Sequence, residues 1–220
     1  MPPTELIVIR HGETDWNRAH RFQGGTDIEL NERGHSQARR AAARLAGLPI
    51  AAIYCSDLCR ARQTAEPIAR ALGLGVSVEP ALRERSYGIF EGRTHEEIVR
   101  DHPDDYERWR RREAAYAMPG GGESLAALRA RVLGQMEQLA RRHAGQMIAA
   151  VTHGGVLDAM YRIVTGTPGE TPRRFEIPNA AMNRIGFDGE RFVLIEWANT
   201  DHLEPGAVVP SPRTGLAPGA

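Results

Sequence analysis

Two histidines and two arginines fall at the ends of predicted strands. Arg10 and His11 come directly after the first strongly apolar run of the chain, and His153 comes one residue after a later one. Arg60 lies in the first turn of the helix predicted after a third run. Guanidinium groups bind oxyanions through paired N–H donors, and imidazoles add further donors. Together these side chains would form a receptor for a dianion such as phosphate.

The residues around these side chains also favour an anion. Gly12 and Gly154 each follow a histidine, where the missing side chain lets the backbone approach a ligand closely. A helix is predicted to begin just after His153, and the free N–H groups of its first turn attract negative charge. Each feature is common on its own, so the prediction depends on their coincidence at three strand ends.

The basic residues are all arginine: the chain of 220 residues has 28 of them and no lysine. Reactions that need a lysine are therefore excluded, including Schiff-base and pyridoxal-phosphate chemistry and phosphate binding by a P-loop or kinase-type lysine. The acidic residues also number 28, so the formal net charge is zero. This balance argues against a general binder of nucleic acid or of membrane surfaces.

The apolar pattern predicts the strands that would bring these residues together. Three runs are apolar throughout, as in strands buried on both faces of a parallel sheet: Leu6–Ile9, Ile50–Tyr54 and Met147–Val151. Three further strands are predicted, the last two around a two-residue hairpin turn at Asp188-Gly189: Val76–Val78, Ala181–Phe187 and Arg191–Trp197. Strands that alternate with helices indicate a three-layer α/β/α sandwich with a mostly parallel sheet and a C-terminal hairpin. Ligands bind such folds beyond the carboxyl ends of the strands.

Helices are predicted between these strands. Asn31 can cap a helix that ends near Gly47, and Ser56 or Asp57 can cap the next, which ends near Gly73. Three more helical segments are predicted: His95–Met118, which Pro119–Gly122 ends, a long helix with Leu125, Leu128, Val132 and Leu139 on one face, and Gly155 to about Val164.

One domain is expected over residues 1–203, with a lid or insert at about 93–122 and a disordered Pro- and Gly-rich tail at 204–220. Met1 leads into the first strand without the basic segment of a signal peptide, and no apolar run reaches the ~18–20 residues that span a bilayer. A cytoplasmic location is therefore expected. Cys55 and Cys59 indicate neither a zinc ribbon nor a disulfide framework, and His11 and His153 lack the spacing of a metal site.

Motifs along most of the chain resemble those of the histidine phosphatase superfamily, in its phosphoglycerate mutase-like branch. They occur in the family's order over roughly residues 5–203, which makes the resemblance specific. The motifs are Arg10-His11-Gly12-Glu13-Thr14 with Trp16-Asn17, Phe22-Gln23-Gly24, Ser56-Asp57-Leu58 with Arg60, Ala61 and Gln63-Thr64-Ala65, Glu84-Arg85-Ser86-Tyr87-Gly88, Gly122-Glu123-Ser124, Thr152-His153-Gly154-Gly155 and Pro178-Asn179. The resemblance implies a phosphoglycerate mutase-like α/β/α fold.

The same resemblance implies a role for each site residue. His11 would be the nucleophile that takes the phosphoryl group, and Glu84 would protonate the leaving oxygen and then activate water, which requires partial burial of its carboxyl group. The remaining site residues would hold the phosphate or line its pocket: Arg10, Arg60 and His153, with Asn17 and the Gly154 N–H, and Gln23, Gly24 and Tyr87. The arginines would supply the positive charge that Mg²⁺ supplies elsewhere, so no metal is expected.

Three functions fit these motifs: a phosphomonoesterase, a 2,3-bisphosphoglycerate-dependent phosphoglycerate mutase, and a phospho-ligand binder without turnover. The binder is disfavoured because every catalytic position is filled. In the mutase branch that this chain resembles, Leu-Asn-Lys follows the segment after the glutamate, and its lysine helps to bind the substrate carboxylate. His95 stands where that lysine would be, and Phe90-Glu91-Gly92 is similar to the phosphatase branch. We therefore expect a phosphatase acting on a small phosphorylated molecule, without a cofactor; 2,3-bisphosphoglycerate would serve only a mutase. Arg110, Arg111 and Arg112 are candidates for a substrate lid, and the resemblance also allows a homodimer.

Overall fold

The computed structural model of the protein describes residues 3–204 and contains a six-stranded sheet with the order β3-β2-β4-β1-β5-β6. The strands are β1 (Thr4–Arg10), β2 (Ile50–Cys55), β3 (Val76–Val78), β4 (Met147–Thr152), β5 (Met182–Phe187) and β6 (Phe192–Asn199). The first four pair in parallel, and β5 and β6 pair antiparallel. The predicted mostly parallel sheet with a C-terminal hairpin is therefore confirmed. The tail predicted at 204–220 lies outside the described residues except for Glu204.

Helices cover both faces of this sheet. In the described part of the chain they are α1 (Asp15–Arg18), α2 (Glu32–Leu45), α3 (Cys59–Leu72), α4 (His95–Asp101), α5 (Pro103–Arg110), α6 (Leu125–Arg142) and α7 (Gly154–Thr165). Leu6 and Val8 of β1 pack in one core with α6 and α7, whereas Ile7 and Ile9 pack in a second core with α2 and α3. Successive side chains of a strand point to opposite faces, so the continuously apolar β1 is buried on both sides. The three-layer α/β/α sandwich is confirmed, and none of the described helices is long and apolar enough to cross a membrane.

Helix α2 begins as predicted, and helix α3 does not. Asn31 Oδ1 accepts the Gly34 N–H at 2.9 Å and caps α2. The residue before α3 is Leu58, whose side chain makes no capping hydrogen bond. Ser56 Oγ instead accepts the N–H of Leu58 at 3.3 Å, within the turn that precedes the helix. The prediction of a Ser56 or Asp57 cap was therefore wrong, because the serine hydroxyl stabilises that turn.

Two other predicted elements differ from the structure. The stretch predicted to be helical over His95–Met118 contains two short helices, α4 and α5, and no helix after Arg110. Pro103 disfavours helical geometry at His102, whose φ of −141° breaks the segment. The hairpin loop has four residues, Asp188–Arg191, in place of the predicted two. Asp188 Oδ1 accepts the N–H groups of Glu190 and Arg191 and thereby stabilises the longer turn.

The strand register brings the predicted chemistry to one edge of the sheet. Arg10 of β1 pairs with Thr152 of β4, so the residues that follow them, His11 and His153, leave the sheet side by side. On the other side of β4, Cys55 pairs with Val151, and this places the start of α3 next to the same edge.

Candidate active site

A cleft of about 1000 Å³ opens at this edge of the sheet. All of the predicted site residues line it except His153, which is fully buried. The rings of His11 and His153 lie next to each other, with centroids 5.2 Å apart. Residues from the strand ends, from the loop after α1 and from the segments before α4 and β5 therefore converge on one place.

His11 is oriented so that one ring nitrogen is free. Its Nδ1 lies 2.7 Å from the carbonyl oxygen of Gly12, and because a carbonyl only accepts, Nδ1 carries the proton and Nε2 keeps its lone pair. The ring is 2% exposed. Burial, with the guanidiniums of Arg60 and Arg10, holds the pKa of His11 well below its usual range. His11 is therefore neutral near pH 7 and can act as a nucleophile at Nε2.

The backbone around His11 is held from three sides. Its N–H donates to Thr152 O of β4, and the Gly12 N–H donates to Thr64 Oγ1 of α3 at 3.0 Å. Asn179 Nδ2 donates to His11 O at 3.1 Å. A Cβ on Gly12 would lie 2.6 Å from the Gly34 carbonyl oxygen, a backbone atom of α2. Only glycine allows this close approach, which fixes the loop that carries His11.

Arg60 is a fully buried charge that makes no ion pair with the described residues. Its Nη1 and Nη2 donate to the carbonyl oxygens of Thr26 and Gly24, each at 2.8 Å, and its Nε has no partner. The side chain is 0% exposed. A buried cation that pairs with no carboxylate is costly, so this guanidinium is poised for an anion that is not part of the protein.

Arg10 and His153 present further unpaired groups beside it. Arg10 donates through Nη1 to Ile177 O, while its buried Nε has no partner. Burial lowers the pKa of Arg10 to about 10, so the guanidinium remains charged at neutral pH. Neither ring nitrogen of His153 has a hydrogen-bond partner in the described part of the chain. Buried polar groups are normally hydrogen-bonded, and these orphaned donors fit the oxygens of a bound phosphate.

Glu84 is half-buried at the N-terminus of α7, as the sequence predicted. Its carboxylate accepts the Gly155 N–H at 2.9 Å and the Arg85 N–H at 2.8 Å. A Cβ at Gly155 would lie 2.4 Å from Glu84 Oε1. The glycine therefore permits the carboxylate to sit against the first turn of the helix, where the Gly155 N–H helps to fix its orientation.

Replacing Gly155 with alanine tests this placement. The new methyl group must push the end of the Glu84 side chain aside, because the neighbouring backbone of α7 cannot move as easily. A displacement of about 1 Å costs on the order of 10²-fold in kcat, so we expect that loss with the melting temperature nearly unchanged. The matched control is Gly134→Ala in α6, where a Cβ meets nothing within 4 Å. An unchanged kcat in Gly155→Ala would contradict the role given to the carboxylate position.

The other predicted residues occupy distinct positions in the cleft. Asn17 Oδ1 accepts from Thr14 and from Asn179 Nδ2, which orients the amide and leaves Asn17 Nδ2 without a partner in the described chain. Gln23 is buried with an unpaired Oε1, and Gly154 opens helix α7 beside Glu84 and Arg10. Tyr87 packs edge-on against Phe22. The substrate contacts assigned to these residues stay predictions.

Glu91 is a positioning residue that the sequence analysis assigned no role. Its carboxylate accepts the N–H groups of Gly25, Thr26 and Tyr87, each at 3.0 Å, and the Thr26 hydroxyl at 2.6 Å. It therefore joins the segment after Glu84 to the loop whose carbonyls hold Arg60. Gly24, with a φ of +53°, completes the fit, because a Cβ there would overlap Glu91 Oε1.

A Glu91→Gln variant would weaken this junction. The amide nitrogen of glutamine would face N–H donors, the loop of Gly24–Thr26 would loosen, and Arg60 would lose its fixed orientation. Hydrogen bonds to a charged group contribute about 1.5–3 kcal/mol each, so we expect kcat/KM to fall at least about tenfold. Glu97→Gln is the matched control: Glu97 also accepts several donors, from Thr94 and Arg21, without touching this loop. Equal losses of kcat/KM in Glu91→Gln and Glu97→Gln would contradict the assignment.

The stretch predicted as a lid forms one wall of the cleft. Arg110 and Arg112 line it, and Arg111 does not. Arg110 and Arg111 both pair with Glu107, while Arg112 pairs with Asp158 of α7. His95 packs among the rings of Phe22, Tyr106 and Trp109, and burial lowers its pKa. Movement of this wall as a lid stays a prediction.

Several residues that line the cleft or hold its loops carried no assigned role in the sequence. Asn179 appeared only within the Pro178-Asn179 motif, and Glu91 only within Phe90-Glu91-Gly92, although those motifs could have pointed to them. Asp158 and Arg173 also line the cleft, and no local pattern marks either one. Across the described residues, no group of three or more His, Cys, Asp or Glu side chains is placed to hold a metal ion.

Comparisons with known proteins agree with this geometry. The family model described as "Histidine phosphatase superfamily (branch 1)" matches residues 6–200. Two Arabidopsis thaliana proteins, "Phosphoglycerate mutase-like protein 4" and "Metal-independent phosphoserine phosphatase", are each 36% identical over 203 residues, which cover 91% of this chain and 87% and 83% of theirs. The solved structure of "Bacillus stearothermophilus YhfR" is 32% identical with a TM-score of 0.85, covering 91% of this chain and all of its own.

Proposed function

Because the chain belongs to branch 1 of the histidine phosphatase superfamily, we propose that it is a phosphomonoesterase that hydrolyses a small phosphorylated metabolite through a phosphohistidine at His11. Two features of the site, found together, carry the proposal. His11 is neutral with Nε2 free, and the donors of Arg10, Arg60 and His153 are buried without a partner in the described chain. A phosphate monoester would satisfy those donors and bring its phosphorus to Nε2. The Arabidopsis thaliana relative named "Metal-independent phosphoserine phosphatase" supports the same reaction class.

In the first step, His11 Nε2 attacks phosphorus and the bond from phosphorus to the ester oxygen breaks. Glu84 donates its proton to that oxygen, and the alcohol leaves. The guanidiniums of Arg10 and Arg60 stabilise the charge on the transferring oxygens. The carbonyl oxygen of Gly12, which accepts the Nδ1–H, stabilises the positive charge that the ring carries while it is phosphorylated.

In the second step, the Glu84 carboxylate accepts a proton from water, and the water oxygen attacks phosphorus. The bond from phosphorus to Nε2 breaks, which regenerates neutral His11 and releases inorganic phosphate. A carboxyl group can serve in both directions only where it faces the reacting oxygen. The position of Glu84 at the edge of the cleft, half-buried and held by two backbone N–H groups, supports this double role.

The second candidate is the 2,3-bisphosphoglycerate-dependent mutase, which would return the phosphoryl group to the substrate. The relative named phosphoglycerate mutase-like protein 4 and the arginines of Arg110–Arg112 favour it. The position of His95 speaks against it: the mutase branch carries a lysine there, whereas this imidazole is packed among aromatic rings and is uncharged near pH 7.

A single assay separates the two reactions. The protein is supplied with 3-phosphoglycerate, with and without 2,3-bisphosphoglycerate, and inorganic phosphate and 2-phosphoglycerate are both followed. The phosphatase releases phosphate at a rate that does not depend on the bisphosphate. Stoichiometric 2-phosphoglycerate with little phosphate would establish the mutase. If no phosphomonoester yields either product, the protein would be a phospho-ligand binder without turnover.

A further inference from the structure

The cleft contains more arginine than one phosphate group needs. Seven arginines line it, and six of them hold a group of the protein itself: Arg10, Arg21, Arg60, Arg85, Arg110 and Arg112. The seventh, Arg173, makes no hydrogen bond or ion pair with any residue in the range 3–204. Its side chain is exposed at the mouth of the cleft.

The segment that carries Arg173 is held over the phosphate site. Arg10 Nη1 donates to Ile177 O, four residues along the chain, and Asn179 Nδ2 donates to His11 O and Gly12 O. Both contacts tie this segment to the end of β1. Gly169 O, four residues before Arg173, also accepts a hydrogen bond from Arg112 Nε, so this segment touches the wall that contains Arg110 and Arg112. Arg173 therefore lies at the mouth of the cleft beside that wall.

The charge of Arg173 acts directly on the phosphate site. Burial is the main cause of the lowered pKa of Arg10, and among neighbouring cations Arg173 contributes more to it than Arg60 does. The guanidiniums of Arg10 and Arg173 carry like charges and therefore repel each other. An anion between them would remove that repulsion.

The acidic residues of the cleft do not neutralise Arg173. Asp158 Oδ2 is occupied by Arg112 at 2.5 Å and by Arg162 at 3.0 Å. The Glu84 carboxylate accepts backbone N–H groups of Arg85 and Gly155. Glu96, the remaining acidic residue of the lining, makes no ion pair with Arg173. No acidic side chain within residues 3–204 pairs with this guanidinium, which leaves it available to an acidic group of a ligand.

We propose that Arg173 binds a second acidic group of the substrate, a carboxylate or a second phosphate on the leaving alcohol. The inference rests on the proposed phosphomonoesterase function and narrows its substrate class to phosphate esters of acidic alcohols. Arg173 is then a specificity-determining residue, which acts on the alcohol while Arg10 and Arg60 act on the transferred phosphoryl group.

The test uses substrates that differ only in the acidic group. 3-Phosphoglycerate and glycerol 3-phosphate share a three-carbon skeleton, with a carboxylate in one and a hydroxymethyl group in the other. Fructose 1,6-bisphosphate and fructose 6-phosphate form the arm for a second phosphate. We expect Arg173→Gln to reduce the preference for the acidic member, measured as the ratio of kcat/KM values, about tenfold in at least one pair. The arm that changes identifies the carboxylate or the phosphate as the ligand.

Arg174→Gln is the matched control, because Arg174 is also exposed and adjacent but does not line the cleft; its ratios should equal those of the native protein. Calorimetric binding of the same pairs to His11→Ala, with and without Arg173→Gln, gives a reading that needs no turnover. Hydrolysis with unchanged ratios in Arg173→Gln would overturn the inference and leave the phosphomonoesterase standing. Absence of hydrolysis by the native protein would overturn the proposed function. The calorimetric preference for the acidic member of each pair, compared with and without Arg173→Gln, would then show whether Arg173 binds the acidic group.

Discussion

Replacing His11 with alanine is expected to abolish hydrolysis, with kcat reduced by at least about 10⁴-fold, as for other enzymes that lose a covalent nucleophile. The free Nε2 of His11 belongs to a ring that lies beside the His153 ring, in the cleft that Arg10 and Arg60 also line. The measurement is steady-state release of inorganic phosphate, together with a thermal melt that confirms folding.

Phosphate binding should survive this substitution. The arginines and His153 remain, so inorganic phosphate should still bind to His11→Ala in a calorimetric titration. His35→Ala is the control, because His35 lies on α2 outside the cleft and makes no side-chain hydrogen bond in the described structure. Turnover in His11→Ala within tenfold of the native rate would show that another group attacks phosphorus.

Glu84→Gln is the second substitution with a large expected effect. The amide can neither donate a proton to the leaving oxygen nor accept one from water, and general acid–base groups contribute typically 10²–10⁴-fold. We expect kcat to fall by about that factor with alkyl phosphates. With p-nitrophenyl phosphate, whose leaving group departs without a proton, the first step should stay fast while the second becomes slow. The variant should then release one equivalent of nitrophenol in a burst and retain the phosphoryl group.

The burst distinguishes a chemical role of Glu84 from a structural one. A glutamate that only shaped the cleft would slow both steps together, so no burst would appear. Glu5→Gln is the control for loss of a carboxylate away from the cleft, because Glu5 pairs with Arg184 at the opposite end of β1. A linear time course in Glu84→Gln, with both substrates slowed equally, would contradict the assignment.

Much of the sheet could be predicted from the sequence because its central strands are buried on both faces. Leu6–Ile9 is apolar at every position, whereas a helix at the surface would need polar residues on one face. The end of this strand therefore predicts that Arg10 and His11 lie at the edge of the sheet. The errors arose where one side chain overrides a regional pattern. Pro103 interrupts a stretch rich in helix formers at His102, and the Asp188 carboxylate favours a four-residue turn where Asp-Gly indicates two.

The site residues that could be predicted from the residue pattern alone are those that lie next to strand ends. Arg10, His11, Arg60 and His153 could be grouped by the position of the strands alone, whereas Glu84 follows no recognisable strand and was identified only through the family resemblance. Arg173 was beyond either approach, and Glu91 was named only within the Phe90-Glu91-Gly92 motif, without a role. The partners of Glu91 in the loop that holds Arg60, Gly25 and Thr26, lie about 65 residues away in sequence. What marks Arg173 is the absence of a partner within residues 3–204, which only the folded structure reveals.

The lack of lysine also has a structural counterpart. The groups that would hold the phosphate are the guanidiniums of Arg10 and Arg60, imidazoles and backbone N–H groups, so the cleft needs no ammonium. His95 stands at the position where the mutase branch would supply a lysine, and its ring packs against those of Phe22, Tyr106 and Trp109. This arrangement agrees with the proposed release of phosphate to water rather than its return to a phosphoglycerate.

The most direct test of the account is to locate the phosphoryl group during turnover. The Glu84→Gln variant is mixed with p-nitrophenyl phosphate, quenched in alkali, which preserves phosphohistidine, and digested for mass spectrometry. We predict one phosphoryl group per chain, on the peptide that contains His11 and at that residue. A phosphoryl group on any other side chain, or hydrolysis by the native protein with no phosphorylated His11 in either form, would contradict the central claim.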